Sequence, residues 1–235
     1  MDTITIGLIA VVFISFIPLS CFGEEPPPSG QVEALVRQFV LSSAPKRDRP
    51  LELEVTNFDV KRLWEEMKLQ VFDVQYGHKS PGHRDRQHSG DGFIALYHRG
   101  RIVSLSSLFG GLGLMSGVVC KSVFYFTYSW GSGIHRYHVG MLEIVNGELV
   151  RRDSGGFEAN DLIDVFVAGD SHDNVALYSG QFKRFNEWSD AKSFGTIQTQ
   201  GANRLGIIGN DGQQILPDFP VAPRELWIAP ADTIK

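Results

Sequence analysis

The segment VVCKSVFYFTYSWGSGIHRYHVGMLEIV, from Val118 to Val145, contains the clearest secondary-structure signal in this chain. Apolar and polar side chains alternate along both halves, and β-branched and aromatic residues are frequent, which is typical of β-strands. The run Gly131-Ser132-Gly133 separates the two halves, and glycine supplies the backbone conformations of a tight turn. The segment is therefore predicted to form an antiparallel hairpin.

A two-residue turn in the glycine run would determine which side chains of this hairpin share a face. One face would then be apolar and belong to the core, carrying Phe124, Phe126, Tyr128, Trp130, His135, Tyr137, Val139 and Met141. The opposite face would combine Tyr125 and Ser129 with Arg136 and His138, that is, an aromatic platform with hydrogen-bonding groups. We predict a ligand-binding surface from these four residues, with an ordinary solvated sheet face as the alternative.

The distribution of prolines favours sheet in most of the chain. No proline lies between Gly82 and Leu216, whereas prolines cluster before and after that range. Proline cannot donate to a sheet ladder, so a long proline-free stretch suits paired strands. The dipeptide Asn146-Gly147 within it is typical of a two-residue hairpin turn. Upstream, residues 31–40 have their apolar side chains at helical spacing.

These patterns predict a mainly β (α+β) fold, an antiparallel sandwich or a partly open barrel with an N-terminal helical segment. Four regions are expected along the chain. Residues 1–23 are a signal peptide or lipoprotein signal, residues 24–30 a proline-rich linker, residues 31–216 a single globular β-rich domain, and residues 217–235 a proline-punctuated C-terminal tail.

The first 23 residues are predicted to direct export. Ile4 to Ile17 is almost continuously apolar and uncharged, which fits the hydrophobic region of a signal peptide and is short for a bilayer span. Cleavage after Gly23 is one expectation. A second is acylation of Cys21, because the local sequence partly resembles a bacterial lipoprotein signal, and a third is an uncleaved anchor. Each alternative gives an extracytoplasmic protein, either secreted, periplasmic or anchored by its N-terminus.

Composition restricts the partners that this domain can have. The formal net charge is −5, and no block of basic residues occurs, so nucleic-acid binding is not expected. Contact with a membrane is expected only through the N-terminal segment. Cys120 is the single cysteine outside that segment, so the domain is expected to hold together through its core without an internal disulfide.

Residues 169–174 concentrate metal-binding side chains. Asp170, His172 and Asp173 offer carboxylate and imidazole ligands of the kinds that bind calcium or zinc, and we predict a metal site from these three. The alternative is an ordinary turn, because Asp and Asn side chains bond to their own backbone in turns. Histidines at 78, 83 and 88 have spacing compatible with zinc, with a solvated loop as the alternative. No other cofactor is expected.

Three functions remain open on the sequence. The first is a non-catalytic ligand-binding or structural domain whose partner is an extracellular or envelope ligand, either a carbohydrate, including glycans, or a peptide. The second is an extracytoplasmic hydrolase, metal-assisted or not, which would use Asp170, His172 and Asp173 with His135 or His138. The third is an exported carrier of an apolar ligand, which would require an apolar cavity beneath the helix at Val32–Val40.

Overall fold

The computed structural model describes residues 25–43, 52–58, 61–77, 91–105, 113–130, 136–154, 165–169, 174–199 and 203–228. These residues form two helices and fourteen strands. The helices are α1 (Ser29–Ser43) and α2 (Lys61–Met67). The strands are β1 (Glu52–Phe58), β2 (Leu69–Gly77), β3 (Asp91–His98), β4 (Arg101–Ser104), β5 (Gly113–Cys120), β6 (Val123–Trp130), β7 (Arg136–Val145), β8 (Glu148–Ser154), β9 (Val165–Gly169), β10 (Val175–Arg184), β11 (Glu187–Thr199), β12 (Arg204–Gly209), β13 (Gln214–Arg224) and β14 (Trp227–Ile228).

The strands form two antiparallel sheets. The smaller sheet has the order β1-β2-β3-β4-β14, and the larger has the order β5-β6-β7-β8-β13-β12-β11-β10-β9 and curls into a nearly closed barrel. The predicted fold class, mainly β with an N-terminal helical segment, is therefore confirmed. None of the described helices combines the length and the apolar character that crossing a membrane requires.

Helix α1 covers one face of the small sheet. Its apolar stripe includes Val32, Val36 and Phe39, which pack on β2 and β3 side chains such as Phe72 and Phe93. Val32 and Val36 have no solvent-accessible surface, and the rings of Phe39 and Phe93 lie 6.2 Å apart. Val32 and Val36 are therefore fully buried between the helix and the small sheet.

The opposite face of the small sheet packs against the outside of the barrel. This shared core takes Leu63 and Met67 from α2, alternate residues of β2 and β3 such as Val71 and Leu96, and Phe124 from β6. A second core fills the inside of the barrel with side chains from most of its strands: Cys120, Tyr125, Tyr137, Val139, Met141, Val167, Val175, Leu177, Ile197, Leu205, Ile207 and Val221. The molecule is thus layered as helix, small sheet and barrel.

The central hairpin has a different register from the predicted one. Trp130 pairs with Arg136 and Phe126 with Gly140, so five residues connect the strands and even-numbered residues face even-numbered residues. The prediction of a two-residue turn is wrong, and with it the composition of both faces. The environment of β6 also differs from the expected one. This strand is covered on both faces, by the barrel interior and by the small sheet. An alternating pattern was expected of a half-solvated strand.

Side chains close the barrel where its first and last strands meet. The Ser116 Oγ on β5 accepts a hydrogen bond from the Val167 N–H on β9 at 2.7 Å and lies 2.9 Å from the Thr127 Oγ1. The Asn186 amide, in the turn between β10 and β11, pairs with both backbone groups of Gly117, at 3.0 and 3.1 Å. These bonds satisfy backbone polar groups of β5 and β9, the two edge strands of the large sheet. Elsewhere in the sheet, the ladder of hydrogen bonds between neighbouring strands does this.

The segment beyond Pro217 is partly strand. Residues 217–224 are the second part of β13, which pairs with β12 and, through residues 221–224, with β8. The separation of a tail at residue 217 is therefore wrong for residues 217–224. Pro217 is tolerated because a register shift interrupts the ladder between β12 and β13 at this point, between Leu216 and Phe219.

Candidate functional site

The four residues predicted as one binding surface lie on two opposite faces of the central hairpin. Tyr125 and Ser129 share one face of β6, whereas the register places Arg136 and His138 on the other face of β7. The shared surface of Tyr125, Ser129, Arg136 and His138 is therefore a wrong prediction. The two faces have separate roles, and each leads to a different polar cluster.

The face of Tyr125 lines the inside of the barrel. Tyr125 is 8% exposed, and its hydroxyl forms a hydrogen bond with the Thr199 side chain across the barrel interior. Burial raises the pKa of Tyr125, and the nearby Glu143 carboxylate acts in the same direction. The phenol is therefore a neutral hydrogen-bonding group at physiological pH.

At the end of the barrel where β6 begins and β7 ends, more polar side chains join Tyr125. The Arg152 Nε donates to the Glu143 Oε1 at 2.8 Å, and the Arg152 Nη1 donates to the Asn203 Oδ1 at 3.2 Å. The register places Arg152 beside Met141 and Glu143 beside Val123, on the same face as Tyr125. We call Tyr125, Glu143, Arg152, Thr199 and Asn203 the barrel-mouth cluster.

The barrel-mouth cluster lies at the boundary between core and solvent. The side chains of Glu143 and Arg152 are each 17% exposed, whereas Thr199 and Asn203 are exposed. Partial burial strengthens the ion pair and orients its remaining hydrogen-bonding groups, while solvent can still reach them. A planar guanidinium, a carboxylate, an amide and a phenol thus stand together at one end of the barrel.

The sequence contained a weak signal for this cluster. Glu143 stands between Leu142 and Ile144 in a strongly apolar strand, and a charged residue at a position facing the core is unusual. Arg152, Thr199 and Asn203 were missed, because their approach depends on the curl of the large sheet. A spatial closure of this kind has no local sequence pattern.

The opposite face carries a buried cluster around Arg151. The Arg151 Nε donates to the Asp153 Oδ1 at 2.8 Å, and its Nη2 donates to the Asp153 Oδ2. The Tyr128 hydroxyl donates to the same Oδ2 at 2.6 Å. The guanidinium also lies over the rings of Phe126 and Tyr128, 5.7 and 5.6 Å from their centroids. We call Phe126, Tyr128, Arg151 and Asp153 the arginine cluster.

Each member of the arginine cluster is at most 5% exposed. Burial, and then the Asp153 carboxylate, raise the pKa of Tyr128, so the phenol stays protonated and continues to donate. Gly140 makes room for the cluster, since a Cβ at that position would lie 2.0 Å from the Phe126 Cζ. The charges of Arg151 and Asp153 neutralise each other within the shared core, which indicates that the arginine cluster has a structural role.

His138 lies beside the arginine cluster and is half-buried. Its ring stacks on Tyr128 with centroids 4.8 Å apart and planes 7° apart, and its Nδ1 is 3.2 Å from the Ser154 carbonyl oxygen. If Nδ1 donates to that carbonyl, Nε2 becomes an acceptor. His138 is thus held in a fixed orientation, on the face opposite to Tyr125.

The predicted metal ligands Asp170, His172 and Asp173 lie outside the described residues, as do the histidines at 78, 83 and 88 and His135. Within the described ranges, no group of three or more His, Cys, Asp or Glu side chains is arranged to hold a metal ion. The prediction of a calcium or zinc site at residues 170–173 therefore stays a prediction.

Comparison of the chain with protein-family models, with curated proteins and with solved structures finds no match. The functional argument therefore depends on the geometry of the two clusters.

Proposed function

We propose that this protein is an exported, non-catalytic binding domain that takes a carbohydrate at the barrel mouth. The observation that supports this proposal is the meeting of Glu143, Arg152 and Asn203 beside Tyr125 at the solvent boundary. Sugar hydroxyl groups both donate and accept hydrogen bonds, and planar charged or amide groups match neighbouring hydroxyls in pairs. The ring of Tyr125 is buried in the barrel core, and its neutral hydroxyl adds a further hydrogen-bonding group to the cluster.

The two alternatives have less support. For the hydrolase, His138 is the only proposed catalytic group within the described residues, and it stands on the face opposite to the barrel mouth. For the carrier of an apolar ligand, a cavity would be needed beneath Val32–Val40, where the apolar side chains of α1 are instead buried against the small sheet. A peptide at the barrel mouth would use the same polar groups and is an outcome of the test.

Thermal unfolding of the purified protein with a panel of neutral and acidic glycans tests the proposal. A ligand at a hundred times its dissociation constant stabilises the folded state by about 2.7 kcal/mol, which gives a measurable rise in Tm. Glu143→Gln should weaken glycan binding at least about tenfold, because loss of one charge-assisted hydrogen bond costs about 1.5–3 kcal/mol.

The matched control is Glu33→Gln in α1. Glu33 also pairs with an arginine, Arg37, at 2.7 Å, but this pair lies on the helix surface away from the barrel. Glu33→Gln should leave glycan binding unchanged. A Glu143→Gln protein that binds glycans as tightly as the wild type would contradict the site, and a panel without any stabilising glycan would contradict the ligand class.

A further inference from the structure

Strand β1 is the outermost strand of the small sheet. Within the described residues it pairs only with β2, and the pairing runs without register shifts from Glu52 to Phe58. In an antiparallel ladder, the backbone groups of alternate residues point toward the partner strand or away from it. The outward-pointing set can therefore be identified from a single contact on the free side.

Arg37 of α1 provides that contact, since its Nη1 donates to the Leu53 carbonyl oxygen at 2.7 Å. The carbonyl of Leu53 thus points away from β2, and by alternation the N–H and C=O groups of Val55 and Asn57 do so as well. The Leu53 carbonyl is occupied by Arg37, while the groups of Val55 and Asn57 extend the same edge. An edge of this length can pair with an added strand.

On the sheet face opposite to α1, the charges beside this edge are negative. Glu54 is exposed and shares a sheet face with Thr56 and Asp73, which are directly paired across β1 and β2. Burial, and more weakly the charge of Glu54, raise the pKa of Asp73, so a nearby cation would stabilise its ionised form. Residues of an added strand on this face would lie about 5 Å from Glu54 and Thr56, within reach of a lysine or arginine side chain.

We propose that the β1 edge binds an extended basic peptide segment, which adds to the small sheet as a sixth strand with lysine or arginine opposite Glu54. The charge pattern selects this occupant over a second copy of the chain, because a second β1 would bring further glutamates to the same edge. This site is separate from the barrel mouth and does not depend on the glycan proposal.

Fluorescence anisotropy of a labelled ten-residue peptide, in which lysine alternates with valine and threonine, tests this proposal on the purified protein. We expect saturable binding that weakens with added salt, and a loss of at least about tenfold when the lysines are replaced by glutamate. Glu54→Gln should weaken binding severalfold, whereas Glu148→Gln, at the exposed start of β8 in the barrel, should leave it unchanged.

Backbone pairing has its own test. Val55→Pro removes an N–H that points outward, so it should abolish peptide binding while the ladder between β1 and β2 persists. The same peptide with alternate N-methylated residues should also fail to bind, and this control requires no change to the protein. Equal binding of the N-methylated peptide, or no binding of the lysine peptide, overturns the proposal. Concentration-dependent dimerisation that Val55→Pro abolishes would identify a second copy as the occupant and overturn it too.

Discussion

At the scale of single residues, the arginine cluster shows how a charged group is kept inside an apolar core. Arg151 and Asp153 are next-but-one neighbours on β8, so they face the same side, and Tyr128 reaches Asp153 from β6. Burying an isolated charge is costly, whereas a paired and hydrogen-bonded one is tolerated. The cluster is therefore sensitive to the loss of any one partner.

Asp153→Ala should strongly destabilise the protein, because it leaves the Arg151 guanidinium buried without its carboxylate. Breaking a buried pair in this way typically costs about 3–5 kcal/mol. Tyr128→Phe should cost less, about 1–3 kcal/mol, since it removes one donor from Asp153 and keeps the ring. Urea unfolding at pH 7 measures both. If Asp153→Ala unfolded at the same urea concentration as the wild type, the ion pair would contribute nothing to stability.

The sequence did not predict this cluster, although its charged residues are close together in the sequence. The run Arg151-Arg152-Asp153 appears as three charges at the end of a strand, where solvent exposure is the ordinary expectation. The structure sends Arg151 and Asp153 to one face of β8 and Arg152 to the other. Both faces of β8 are covered by residues that are distant in the sequence, so the local pattern does not show that these charges are buried.

At the scale of elements, the hairpin of β10 and β11 completes the barrel. Its pairing contains three register shifts, which bend the hairpin so that its turn reaches β5. Phe185 from this turn stacks on Phe58 with centroids 4.1 Å apart, and Asn186 pairs with the backbone of Gly117. The sequence predicted strands in this region, but the bulges and the reach of the turn have no simple periodic signature.

Asn186→Gly should weaken the closure of the barrel by removing both amide hydrogen bonds to Gly117. Asn186 has a φ of 55°, which glycine adopts readily, so backbone strain is not introduced. We expect a loss of about 1–3 kcal/mol and faster amide hydrogen exchange in β5. Asn146→Gly is the matched control, since Asn146 has a φ of 52° and is exposed in the turn between β7 and β8. Equal effects of the two substitutions would show that the amide bonds do not secure the closure.

At the scale of the whole molecule, the fold class was predictable and the arrangement of its layers was not. Alternation, hairpin turns and the proline-free range are local features of the sequence, and they indicated antiparallel sheet. The helix at 31–40 was indicated by the helical spacing of its apolar residues, which is also a local feature. The division of the strands into a small sheet and a barrel depends on contacts between distant segments. The register error in the central hairpin followed from one assumption, a two-residue turn, since a shift of one residue exchanges the faces.

The junction between the small sheet and the barrel contains a buried histidine that should make global stability depend on pH. His98 is 8% exposed, its Nδ1 lies 3.3 Å from the Lys68 carbonyl oxygen, and its buried Nε2 has no hydrogen-bond partner in the described structure. Burial, and then Arg99, lower the pKa of His98, while the Lys68 and Met67 carbonyls and Glu148 act in the opposite direction. The lowered pKa means that the folded state disfavours the charged imidazole.

The sign of the pH effect follows from that direction. In the unfolded chain His98 binds a proton near its ordinary pKa of 6.5, whereas the folded protein does so only at lower pH. Stability should therefore fall as the pH drops below about 6.5, and the loss should level off once the folded-state pKa is passed. Urea unfolding between pH 7.5 and pH 5 should show this decline in the wild type and a smaller decline in His98→Asn, whose amide nitrogen can replace Nδ1. Parallel curves for the two proteins would assign the decline to other groups, and the junction between the layers would then be insensitive to the protonation of His98.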